Sequence, residues 1–236
     1  MSRETTSPQR PQTTAILAVS LDGKLAKASA QGDRIASAYD FQHLEEHVAQ
    51  ADAVLFGATT LRLGGTAMRL QSPSLIQQRL RAGKPPQPLQ IVCSASGDLD
   101  LALPFFQQPI PRALVTTETG QARWQGSSAF DYCWCADRPH WDWSWVLGQI
   151  ATVGIQRLAV LGGGHLFASL LQVQAIDELW LTVCPLMLGS SAPSLMPLKE
   201  CTSPTMTLVS AVPVGDEVYL HYRLGYGEDK GTMIET

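Results

Sequence analysis

Charge is scarce in this 236-residue chain, at 16% Asp, Glu, Lys and Arg against 45% hydrophobic residues. The 17 basic and 21 acidic side chains give a formal net charge of −4, with no long run of Lys or Arg. A nucleic-acid backbone or an anionic membrane needs a clustered basic footprint, so neither is an expected partner and a small molecule is. No apolar stretch approaches the roughly 20 residues of a membrane span. The opening MSRETTSPQRPQTT is too polar for the apolar region of a secretory signal. Cysteine is also sparse: Cys93, Cys133, Cys135, Cys184 and Cys201 form no regular framework, which points to free thiols in a reducing, cytoplasmic compartment. Cys133-Trp134-Cys135 is the one close pair. Without a second CxxC or a histidine pair to complete a tetrahedral site, no metal is expected.

The apolar content is enough for a substantial core. Residues 1–12, with Pro8 and Pro11, read as a tail, 13–225 as a single domain, and 226–236 as a second polar tail. Ala15 to Val19 is an apolar run of buried-strand length that stops at the turn-forming Ser20-Leu21-Asp22-Gly23-Lys24. Ser37 is placed to cap a helix in which Phe41, Leu44 and Val48 share a face, running to about Ala51, and Ala53 to Phe56 is a second buried strand. A short helix over Leu75 to Arg81 ends at Gly83 and the Pro85-Pro86-Gln87-Pro88 breaker, before a strand at Leu89 to Cys93. Further strands are expected at Ala113 to Thr116 and Phe130 to Trp134, and a helix from near Asp142 to Thr152. The clearest unit is strand Arg157 to Leu161, turn Gly162-Gly163-Gly164 and helix His165 to Val173, followed by a strand at Leu179 to Val183. Met206 to Val212 and Val218 to Leu224, separated by Pro213 and Gly215-Asp216, read as an antiparallel hairpin at a sheet edge. Strands alternating with helices predict an α/β fold, and the hairpin makes its sheet mixed.

Three glycines between a buried strand and a helix suit an anion, because the missing β-carbons open the N–H groups at the helix start; a plain tight turn is the other reading. The run lacks the spacing and the acidic residue of a Rossmann fingerprint. Gly57-Ala58-Thr59-Thr60-Leu61-Arg62 is a second such turn, serving either capping or a phosphate. Two such turns after parallel strands fall on one sheet edge, where ligands of open α/β sheets bind. Asp22 and Lys24 lie just past the first strand and face the same cleft or solvent. His43 and His47, one helical turn apart, are expected on a solvated face, and His140 and His221 have no evident partner in the sequence. Trp141, Trp143 and Trp145 fit a helical patch packed on the sheet as well as a stacking platform.

In order and spacing, Ser-Leu-Asp-Gly-Lys after the first strand, Gly-Ala-Thr-Thr after the second, the Gly-Gly-Gly turn, Asp177-Glu178-Leu179, and Pro185 to Gly189 resemble the reductase domain of bifunctional riboflavin-biosynthesis proteins, over about Thr14 to Leu224. The resemblance implies a dihydrofolate-reductase-like α/β/α fold with a C-terminal hairpin, a homodimer, and NADPH-dependent reduction of a phosphoribosylamino-pyrimidine. It puts Gly162, Gly163, Gly164, His165 and Leu166 at the cofactor phosphates, Gly57, Thr59 and Thr60 beside the cofactor, and Val19 at the nicotinamide. Asp22 and Lys24 would shape the reacting end, while Arg34, Arg62 and Arg69 are the cations available for a substrate phosphate. The H-x-E and P-C-x-x-C motifs of the zinc deaminase often joined to this domain are absent, so the chain resembles the reductase alone. It also departs from the family's polar substrate positions: Ile16 stands for a lysine, Val48 for an arginine, Leu161 for a glutamate, and Gly64-Gly65-Thr66 for Asp-Asp-Pro. Another heterocycle, such as a pterin or dihydrofolate, is the alternative substrate, and a non-catalytic nucleotide binder the alternative role.

Overall fold

A computed structural model describes residues 10–27, 35–136, 141–197 and 203–227. Of the expected tails 1–12 and 226–236, residues 1–9 and 228–236 lie outside the described residues, as do Arg34, His140 and Cys201. The chain is pinned earlier than expected, because Arg10 donates to both carboxylate oxygens of Asp177, at 2.7 and 2.6 Å, and Asp177 also accepts from the Thr13 N–H.

The elements in order are β1 (Gln12–Ser20), α1 (Ala38–Gln50), β2 (Ala53–Gly57), α2 (Ala58–Gly64), α3 (Pro73–Arg81), β3 (Leu89–Cys93), α4 (Pro104–Gln107), β4 (Arg112–Thr116), α5 (Glu118–Arg123), β5 (Tyr132–Cys135), α6 (Trp143–Thr152), β6 (Arg157–Val160), α7 (Gly164–Gln172), β7 (Glu178–Cys184), β8 (Thr205–Val214) and β9 (Glu217–Gly225). They build one nine-stranded sheet in the order β5-β4-β3-β2-β6-β1-β7-β9-β8. All pairings from β5 to β7 are parallel; β9 runs antiparallel to β7, and β8 to β9. The expected mixed α/β/α sheet with a closing hairpin is therefore present.

Strand alternation sorts the core into two layers. Ala15, Leu17, Leu55, Ile91 and Val160 face α6 and α7 through Val146, Leu147, Phe167 and Leu170. Ile16, Val54, Phe56, Val92 and Ala159 face the other way, toward Val48 of α1, Leu61 of α2 and Phe105 of α4. Ser37 caps α1 as expected: its hydroxyl accepts the Asp40 N–H and donates to Glu217, joining this helix to β9. Buried Arg79 of α3 donates to the carbonyls of Ala49, Ala51 and Pro85, tying α3 to the end of α1.

Candidate functional site

The two glycine-bearing turns meet where β2 and β6 end. The Gly57 N–H donates to the Gly162 carbonyl at 2.9 Å, and the Leu161 N–H to that of Leu55, also at 2.9 Å. Gly162 has φ +88°, a backbone region that favours glycine, and a β-carbon there would come within 3.1 Å of Leu17; its peptide to Gly163 is cis. Gly164 opens α7 under the 193–197 segment, where an added β-carbon would lie 2.4 Å from the Ser194 carbonyl oxygen. The tight-turn reading accounts for two of the three glycines. Gly162 and Gly164 are required by packing and backbone, whereas Gly163 has only Thr60 Oγ1 at 3.6 Å and leaves the start of α7 open.

Two cavities adjoin this turn. The larger, about 680 Å³, is lined by Gly57, Thr59, Thr60 and Arg62 from the β2–α2 turn, Cys93 to Ser96 after β3, and Gly163, Gly164, His165 and Leu166 at α7. The smaller, about 390 Å³, is lined by Ile16, Leu17 and Ala18 of β1, Asp40, Phe41 and Leu44 of α1, Gly64 to Arg69 except Gly65, and Leu161, Gly162 and Gly163. Leu25, Thr60 and Gly163 line both. Every described residue expected at the cofactor except Val19 thus reaches one cavity or the other, with Gly162 in the smaller and Thr60 and Gly163 at the junction.

Other expected residues fall elsewhere. Val19 is buried and is not among the residues lining either cavity; Ala18 lines the smaller one instead. Asp22 and Lys24 are also absent from both walls. The Asp22 carboxylate accepts from the Ser20 hydroxyl at 2.5 Å and the N–H groups of Leu188 and Gly189 at 3.0 and 2.7 Å, which hold its pKa down to about 2. It clamps the β1 turn to the 186–189 loop. The backbone of Lys24 bonds to Ser20 and bridges to Ser194. The arginines separate: Arg62 lines the larger cavity and donates to the Asp98 carbonyl, while Arg69 lines the smaller.

Of the departures from the family pattern, Ile16, Leu161, Gly64 and Thr66 line the smaller cavity, but Val48 is fully buried in the α1-side core. The arginine missing there is thus no loss from this cavity wall. Among the described residues lining the cavity, Asp40 and Arg69 carry the ionisable side chains.

His43 and His47 do not occupy a solvated face. They pack against Trp180, at ring-centroid distances of 5.1 and 4.3 Å, and His221 stacks on the same indole at 4.0 Å while contacting Glu178. Burial, reinforced by the neighbouring His43 and His221, lowers the His47 pKa to about 4. Trp141 and Trp143, expected either as packing or as a platform, both line the larger cavity, and Trp143 also enters the core. Sequence periodicity does not show this placement, because Trp141 precedes α6 and Trp143 is only its first residue.

Compared with protein families, residues 11–220 match the model for the RibD C-terminal domain. The chain belongs to that family. It is 26% identical, over 76% of its length and 83% of the relative's, to the 2,5-diamino-6-ribosylamino-4(3H)-pyrimidinone 5′-phosphate reductase of Archaeoglobus fulgidus. It is 27% identical to the riboflavin biosynthesis protein RibD of Escherichia coli over 87% of this chain, but spans only 58% of that protein. A pyrimidine reductase-like protein from Corynebacterium diphtheriae shares the fold, with TM-score 0.81 at 18% identity, covering 94% of this chain and 95% of the other.

Proposed function

We propose that the chain is an NADPH-dependent reductase of the riboflavin pathway, acting on a ribosylamino-pyrimidine 5′-phosphate of the kind named for its A. fulgidus relative, or on the closely related phosphoribosylamino-uracil. The observation that carries this reading is the glycine turn shared by two adjoining cavities. One is large enough for most of a dinucleotide, and the other reaches the turn at Gly162 and Gly163. The fit rests on Gly163, which a β-carbon would crowd little and which exposes the start of α7, a place suited to an anionic pyrophosphate. Gly163, Gly164 and His165 would hold that group, with Thr59 and Thr60 donating hydroxyl hydrogen bonds alongside. When bound, the nicotinamide supplies the hydride. The protein's part is to align the acceptor carbon beside it and exclude water, which the apolar walls of the smaller cavity, Ile16, Leu17 and Leu161, are suited to do. Arg69 is the described cation for the substrate phosphate. In this reading Asp22 positions the 186–189 loop and Lys24 the segment at Ser194, and neither touches the reacting atoms.

The same apolar walls favour a second reading, in which the acceptor is another flat heterocycle such as a pterin or dihydrofolate. Ile16 and Leu161 present hydrocarbon where the resembled family has charge, and a hydrocarbon wall contributes no hydrogen-bond selectivity for a polar substrate. We also place a homodimer contact on the hairpin side of the sheet, where Met206, Leu208, Val212 and Val218 are exposed. The free thiols Cys93, Cys133 and Cys184 suit a cytoplasmic setting, and among the described residues no helix is long and apolar enough to cross a membrane.

The deciding experiment follows NADPH absorbance with purified protein and either the ribosylamino-pyrimidinone 5′-phosphate or a panel of dihydropterins. Turnover of the first with formation of the ribityl product supports the leading reading. Turnover confined to the panel replaces it with the second, and NADPH binding without turnover of either leaves a nucleotide binder.

A further inference from the structure

The part of the larger cavity not shared with the smaller one has an aromatic wall. Trp141 and Trp143 line it, their ring centroids 5.8 Å apart and their planes inclined by 16°, a stacked pair. Trp143 is 6% exposed and sits in the core with Val146 and Leu147, whereas Trp141 is only partly buried against the same core. Asp142, between them, caps α6 by accepting the Trp145 N–H at 3.0 Å, which fixes the backbone that carries both rings. Core packing accounts for Trp143. It leaves unexplained why a second large indole is stacked on the first at the cavity wall.

We propose that Trp141, backed by Trp143, is the surface on which the adenine of the cofactor packs. The proposal rests on the reading of the larger cavity as a nicotinamide dinucleotide site. With the pyrophosphate at Gly163 to His165, beside the junction of the two cavities, and the nicotinamide reaching into the smaller one, the adenosine half falls in the unshared part of the larger cavity, beside the indoles. A purine offers a flat polarisable face, and an indole held in place by a second ring meets it with little freedom left to lose. Ser94 and Ser96, lining the same cavity, supply hydroxyls for the ribose or its phosphate.

Titration calorimetry with NADPH and with its two halves, 2′-phospho-ADP-ribose and reduced nicotinamide mononucleotide, tests this on wild type, Trp141→Ala, Trp141→Phe and Trp145→Ala. Loss of one base stack weakens binding roughly 10- to 100-fold. We expect that loss in Trp141→Ala for NADPH and for the adenosine half. The nicotinamide half should bind as before, Trp141→Phe should largely restore affinity, and Trp145→Ala, which alters a more exposed indole outside the cavity wall, should have no effect. Unchanged affinity of Trp141→Ala for the adenosine half overturns the inference and leaves the cofactor reading intact. An equal loss for both halves shows a purely structural role and overturns it as well. Failure of the wild type to bind NADPH or either half overturns the cofactor reading itself. Should Trp141→Ala fail to fold, Trp141→Leu, which keeps bulk without an aromatic face, is expected to show the same selective loss.

Discussion

A β-carbon placed on Gly164 would stand 2.4 Å from the carbonyl oxygen of Ser194 and 2.9 Å from that of Leu195. Neither oxygen belongs to a flexible side chain, so Gly164→Ala must displace either the start of α7 or the 193–197 segment, at a cost of about 1–3 kcal/mol. The added methyl at Gly163 has only ordinary contact, with Thr60 Oγ1 at 3.6 Å. Gly164→Ala is therefore expected to lower the thermal midpoint by several degrees. Gly163→Ala should keep the midpoint and weaken NADPH binding by putting its methyl into the cavity. Differential scanning fluorimetry and calorimetry on the pair check both, and equal midpoints for the two variants would contradict the packing argument.

Asp22 is expected to act on stability and its pH dependence, not on turnover. Its three hydrogen bonds hold the pKa at about 2, below the usual carboxylate value, so the stabilisation is complete above that usual value, near 4, and is lost as pH falls toward 2. Asp22→Asn should melt earlier than wild type at neutral pH, with the gap closing across that acidic window, while kcat at 25 °C stays within a few-fold. A collapse of kcat at unchanged midpoint would return Asp22 to the chemistry.

His47 titrates in the opposite sense of charge but with the same consequence in acid. Its pKa falls to about 4 from 6.5 because the neutral ring is the buried form, so the unfolded chain binds the extra proton first and stability declines as pH drops from 6.5 to 4. The loss amounts to about 3 kcal/mol over that window. Replacing His47 by Phe should flatten the decline in urea midpoints measured from pH 7 to 4.5. The same slope in the variant would mean that another group carries it.

Arg62 lines the larger cavity beside Ser94 and Ser96 and is anchored through its bond to the Asp98 carbonyl. On the proposed cofactor reading, a cation at that end would serve the additional phosphate of NADPH, and loss of a charge-assisted bond costs about 2 kcal/mol. Arg62→Gln is expected to raise the KM for NADPH by roughly 10-fold or more with little change for NADH. If instead the KM for the pyrimidine substrate rises and the nucleotide preference is kept, the arginine belongs to the substrate, as its sequence position first suggests.

Most of the sheet was legible because its strands are short apolar runs bounded by glycine, proline or polar turns. The β6–α7 unit shows both periods and the glycine break within a few residues. Helices α4 and α5, at four and six residues, are too short to display a helical period and were not foreseen. The partners of Asp22 lie at Leu188 and Gly189, and the stack of His221 on Trp180 exists only because β9 pairs with β7 in that register. No local pattern encodes either. Val48 marks the same boundary from the other side: alignment to a family pattern assigned it to the pocket, whereas its helical phase places it in the core.

The strand order also sets a schedule for synthesis. β2 to β5 pair with neighbours close along the chain, apart from the contact of β2 with β6, so a ribosome delivers that half of the sheet in an order that lets it assemble as it emerges. β1 is made first, yet its two partners are β6, starting at Arg157, and β7, starting at Glu178. A nascent chain therefore carries an apolar strand without a mate until most of the protein has been translated. The growing polypeptide has to shield Ala15 to Val19 by other means for that interval, which makes this segment the natural place for a chaperone to hold.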